Sequence, residues 1–175
     1  MGLKVTLITK TNNQMIQQQL FNLYKSFNGV GKIEIMNGYE KKADHNDLFS
    51  ISRFFAKKGN EVKITTNVHF KDEKYTEVFG RLRGSKYDRK CPDLIINGEF
   101  YEYENYVPPF KKEKISNMLS KGLKQSSRII INNNKGANHR IIRRNIYNRT
   151  VMEKQNIDEV WIYEKGKVLL IYKKQ

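Results

Sequence analysis

The chain predicts an α+β fold in which helices flank a twisted, mainly antiparallel sheet. Three observations carry that expectation. Asn97-Gly98 and Lys165-Gly166 each separate short runs rich in β-branched and aromatic residues, which is the pattern of a tight hairpin. Amphipathic segments of period 3.6 lie between runs with strand character. The 175 residues include ten Tyr, nine Phe and one Trp, enough large apolar surface for a core, and the length is that of a single domain.

Residues 3–9 are apolar and β-branched and predict a strand. Ile16, Leu20, Leu23 and Phe27 recur at helical spacing and predict a helix over residues 14–27, with Gly29 as its stop. Ile33 and Ile35 alternate with Lys32 and Glu34 as a half-buried strand. Residues 1–40 would then form a strand–helix–strand unit packed on a core of residues 44–173. A second helix is predicted over residues 44–58, from Asp44 to the stop signal Lys57-Lys58-Gly59, with Leu48, Ile51 and Phe55 inward. A strand over residues 61–66 follows. Residues 71–90, rich in charge and glycine, are expected as a basic, loop-like insertion. Beyond the Asn97-Gly98 hairpin, Pro108-Pro109 ends the second strand. Helices over residues 111–121 and 137–149 and a strand over residues 128–131 complete the core, before the last hairpin around Lys165-Gly166.

Charge is the strongest global signal. Thirty-three Lys and Arg against eighteen Asp and Glu give +15, which concentrates polyanions and favours contacts that release counterions from phosphates. Nucleic acid is therefore the expected partner. No apolar run reaches the length of a membrane span, and Met1-Gly2-Leu3-Lys4 does not open a signal peptide, so a cytoplasmic setting without membrane association is expected. One cysteine, Cys91, excludes an internal disulfide and a thiolate metal cage, and reads as a small core side chain.

Two constellations carry chemistry. A two-residue turn at Asn97-Gly98 pairs Ile96 with Glu99, Ile95 with Phe100, Leu94 with Tyr101 and Asp93 with Glu102. Glu104 shares that face, because strand side chains alternate with period two. Like charges set opposite one another are destabilising, so three carboxylates together point to a cation, a Lys or Arg partner, or acid–base work; a solvated strand end is the plainer alternative. Pro92-Asp93 followed by Glu102-Tyr103-Glu104 is similar to the Pro-Asp…(Asp/Glu)-X-Lys signature of nucleases, in which the acids hold a divalent metal and the lysine stabilises the attacking water or the transition state. Here Glu104 occupies the lysine position. The second constellation lies on the helix over residues 137–149, where Arg140, Arg143, Arg144 and Tyr147 fall on one side. Guanidinium groups at this spacing suit bidentate phosphate contacts, and the tyrosine can stack a base; an ordinary solvated face is the alternative. Of the histidines, His45 is the candidate for proton transfer, ahead of His69 and His139.

The run from His45-Asn46-Asp47 through Phe54-Phe55-Ala56-Lys57-Lys58-Gly59, then Pro92-Asp93-Leu94, Asn97-Gly98, Tyr101-Glu102-Tyr103-Glu104 and Leu123-Lys124-Gln125-Ser126-Ser127-Arg128, resembles the tRNA-nuclease C-terminal domain of contact-dependent growth inhibition toxins of the CdiA type, also carried on bacterial mobile elements. The resemblance covers residues 44–173. It implies a nuclease fold of the barnase/EndoU/RelE-like group, RNA cleavage by 2′-hydroxyl attack without a metal cofactor, tRNA as substrate and an immunity protein as partner. Carried over by position, it implies His45, Asp47, Asp93, Glu102, Lys124 and Gln125 as site residues. Glu104 departs from the family's usual Glu-X-Lys wording. Two rivals remain: a metal-dependent DNase of the PD-(D/E)XK-like kind using Asp93, Glu102 and Glu104, and a non-catalytic nucleic-acid-binding module.

Overall fold

The centre of the molecule is set by two residues at positive φ, Asn97 (49°) and Gly98 (81°), the pair that a type I′ turn requires. Around them the computed structural model, which describes residues 20–105 and 113–175, builds one eight-stranded sheet. Its elements in chain order are β1 (Phe21–Phe27), β2 (Gly31–Met36), α1 (His45–Lys57), β3 (Glu61–Ile64), α2 (Glu73–Phe79), β4 (Leu94–Ile96), β5 (Glu99–Glu104), α3 (Glu113–Gly122), β6 (Arg128–Asn132), α4 (His139–Tyr147), β7 (Glu159–Glu164) and β8 (Lys167–Lys173). A 3₁₀ turn, Gly80–Leu82, follows α2, and a π turn, Asn148–Met152, extends α4.

Each strand lies beside its predecessor in the chain. The β1/β2, β3/β4, β4/β5 and β7/β8 pairs are antiparallel. The β2/β3, β5/β6 and β6/β7 pairs are parallel, and each is joined by a crossover containing a helix. The α+β class and the antiparallel majority therefore agree with expectation. Residues 3–9, most of the residue 14–27 segment and Pro108-Pro109 lie outside the described residues.

Helix α1 covers one face, packing Ile51 and Phe55 on Val62, Ile64, Leu94, Tyr101 and Tyr103. Helices α3 and α4 cover the other with Ile115, Leu119, Ile142 and Ile146 on Ile129, Ile131, Val160 and Ile162. Because Glu102 pairs with Ile129 and Glu104 with Ile131, both glutamates belong to this second face. Gly122 lets α3 come close there: a Cβ on it would stand 3.2 Å from Glu104 Cγ and 3.1 Å from Ile129 Cγ2.

Two expectations are corrected. Phe21–Phe27 is a strand and not the end of a helix. Leu23 is 62% exposed, so the apparent apolar stripe has no core to face, while Asn28 and Gly29, both at positive φ, turn the chain back into β2. Residues 71–90 are not an unstructured insertion: Tyr75, Phe79 and Leu82, at helical spacing, form a third small core with Ile95 and Phe100.

Candidate active site and nucleic-acid interface

The hairpin register is the expected one, with Ile96 opposite Glu99 and Leu94 opposite Tyr101. One step further brings Asp93 beside Glu102. The Asp93 carboxylate accepts the backbone N–H of Tyr103 at 3.1 Å, and the Glu102 carboxylate accepts the backbone N–H of Asp93. Glu102 and Glu104 are only 7% and 2% exposed.

That burial sets their proton affinities. Burial, reinforced by Asp93 and Glu104, pushes Glu102 up to about 9. Burial likewise pushes Asp93 up to about 6 despite the Tyr103 hydrogen bond, and it raises Glu104 against the pull of Lys121. Glu102 Oε2 and Glu104 Oε1 are buried without a hydrogen-bond partner, a condition that is expensive unless something supplies the missing charge or donor.

Part of that charge comes from Lys121. Its Nζ stands 3.2 Å from Glu104 Oε2, and Glu104 is the main reason its amine holds its proton more strongly than usual. Sequence reasoning placed a helix here and missed this lysine. The usable signal was its position at the end of the helix that crosses back over the acidic strand, beside the inward Met118 and Gly122. Lys124, the lysine pointed to by the resemblance, is exposed one turn later and lines a separate cleft. Gln125 is half-buried, with its Oε1 unpartnered.

The other predicted site residues divide between the two faces. Asp47 belongs to the α1 face, where its Oδ2 accepts the Tyr103 hydroxyl at 2.8 Å and the Asn132 amide at 2.8 Å. Asn132 also donates to Asn105. Neither asparagine was singled out in the sequence. His45 opens α1, with its Nδ1 3.2 Å from the Tyr39 hydroxyl and its ring packed on Phe49, so its contacts are not with Glu102. Asp44, beside it, has a buried Oδ1 without a partner and adds negative charge near Asp93. His69 takes the Lys71 N–H, and His139 pairs with Glu164. Cys91 is half-buried and its thiol is raised by burial, as a core side chain would be.

On α4, Asn138 caps the first turn by accepting the Arg140 N–H at 2.8 Å. Arg140, Arg143, Arg144 and Tyr147 are all exposed, while Ile142 and Ile146 point into the core. The expected one-sided basic face is present.

Among the described residues, no three His, Cys, Asp or Glu side chains are grouped so as to hold a metal ion as they stand. Mg²⁺, however, is usually held by one or two carboxylates together with waters and substrate phosphates, not by an all-protein cage. The two orphaned glutamate oxygens fit that kind of incomplete site. Among the described residues, no helix is long and apolar enough to cross a membrane. No protein-family model, curated protein or solved structure matches this chain.

Proposed function

We propose that this protein is a nuclease whose active site is formed by Asp93, Glu102, Glu104 and Lys121, and that it acts with a divalent cation. The observation that carries the reading is the pair of buried glutamates, each with an orphaned oxygen, beside an amine delivered by a different element. In the Pro-Asp…(Asp/Glu)-X-Lys pattern the lysine follows on the same strand. Here α3 returns the missing amine to the place where Glu104 displaced it.

Each side chain has a role that its environment supports. Glu102, at about 9, holds its proton at neutral pH and is a poor base by itself; it ionises once a positive charge offsets its burial, as a ligand would. Asp93, at about 6, exchanges its proton nearest neutrality and suits proton transfer from water. Lys121 stays charged and is available to stabilise negative charge developing on a phosphate. A bound divalent cation would supply charge neutralisation at the scissile phosphate.

A net charge of +15 supports a polyanionic substrate. The resemblance to tRNA nucleases makes tRNA the first RNA to try. The deciding experiment incubates purified protein with total tRNA and with plasmid, with Mg²⁺ and with EDTA, beside Lys121→Met. Cleavage that needs Mg²⁺ and Lys121 supports the proposal. tRNA cleavage that persists in EDTA would instead favour 2′-hydroxyl attack.

A further inference from the structure

Residues 81–87, on the segment after α2, face residues 120–128, at the end of α3 and the start of β6, across two neighbouring clefts. One cleft, about 220 Å³, lies between Arg81 and Tyr87 on one wall and Gln125 and Arg128 on the other. The second, about 570 Å³, lies between Lys86 on one wall and Lys124 and Lys154 on the other. Lys86 and Tyr87 are sequence neighbours, as are Lys124 and Gln125, so the two clefts share both walls and form one channel.

The channel is basic and leads to the carboxylates. Lys86, Lys124 and Lys154 are exposed, and no ion pair neutralises them among the described residues. One wall continues through Cys91 and Pro92 to Asp93; the other carries Lys121 three residues before Lys124. Solvated lysines spaced along a cleft suit a chain of phosphates, which a strand of nucleic acid supplies at regular intervals.

We infer that this channel holds the sugar–phosphate strand flanking the scissile bond, with Lys86, Lys124 and Lys154 each contacting a phosphate. The inference rests on the nuclease reading for its position relative to the chemistry, but binding tests it separately from cleavage. The probes are short fluorescein-labelled RNA and DNA oligonucleotides of one sequence, titrated with full-length protein in EDTA at several salt concentrations. Combining Lys86→Gln, Lys124→Gln and Lys154→Gln is expected to reduce the slope of log affinity against log salt by about 2, because each lost single-strand phosphate contact removes about 0.7. Lys124→Glu alone, a second and milder construction, is expected to weaken binding while thermal melting stays at the wild-type value. An RNA arm that responds while the DNA arm does not assigns the strand to RNA, and the converse assigns it to DNA. An unchanged slope for both oligonucleotides in the triple variant overturns the inference, as does competition by polyglutamate as effective as that by unlabelled oligonucleotide. Salt-sensitive channel binding without cleavage under any metal condition leaves the inference standing and removes the nuclease reading.

Discussion

Lys121 Nζ stands 3.2 Å from Glu104 Oε2, although the lysine side chain is 75% exposed and the glutamate side chain only 2%. A mobile amine is thus anchored by a buried acid. Lys121→Met is expected to lower single-turnover cleavage by about 10²–10³-fold. Glu104 would then take up a proton at neutral pH, so thermal melting should move little. A rate equal to wild type would remove Lys121 from the site.

Glu102→Gln is expected to abolish cleavage while keeping the fold and nucleic-acid binding. The pH dependence of stability gives a second readout. Glu102 rises from 4.5 to about 9 on folding, so the folded state binds more protons than the unfolded state between those values. Stability therefore declines as pH rises through that window. In Glu102→Gln that part of the decline should vanish, so the variant should melt above wild type near pH 9 and close to it near pH 5. Melts across this range provide the check.

Mg²⁺ or Mn²⁺ should raise the melting temperature of the wild type, because a ligand bound only by the folded state stabilises it. EDTA should reverse the rise. Glu102→Gln combined with Glu104→Gln should not respond. Calorimetry in buffers of different ionisation heat should also detect proton release on metal binding, since two raised carboxyls must ionise.

Gly122→Ala places a methyl within 3.1–3.3 Å of Ile129 and Glu104. Helix α3 must shift, with a loss of about 1–3 kcal/mol. Cleavage should fall further than stability, because the displaced helix carries Lys121. A variant that melts and cleaves like wild type would show that α3 has slack.

Replacing Arg140, Arg143 and Arg144 together by Gln should flatten the salt dependence of RNA binding, since the three side chains are exposed on one face of α4. Melting should be unchanged, because Ile142 and Ile146 hold that helix to the core. An unchanged salt slope would identify α4 as an ordinary solvated surface.

The legible parts of this molecule were those governed by local geometry. Asn97-Gly98 and Lys165-Gly166 need positive φ, and their hairpins follow, with the register that sets Asp93 beside Glu102. The same logic at Asn28-Gly29 was masked by an apolar spacing that suits a helix equally well, and only pairing with β2 decides the matter. Tyr75, Phe79 and Leu82 were hidden among charges, although their spacing is helical. Lys121 was missed for a different reason: it meets Glu104 through a crossover, a relationship that no local window contains. The Asp47–Tyr103–Asn132 contacts join three separate elements and were equally out of reach.

Because every strand pairs with the one before it, no described strand has to wait for a distant segment to be synthesised before it finds a neighbour. Growth of the sheet from one edge to the other can keep pace with a chain emerging N-terminus first, and each new ridge of backbone donors and acceptors is capped by the next arrival. Unpaired edges are then brief during assembly, which limits the window for aggregation. The carboxylates and their lysine form only when α3 has crossed back over β5, so the chemistry is assembled midway through this progression, before the final hairpin of β7 and β8 closes the far edge.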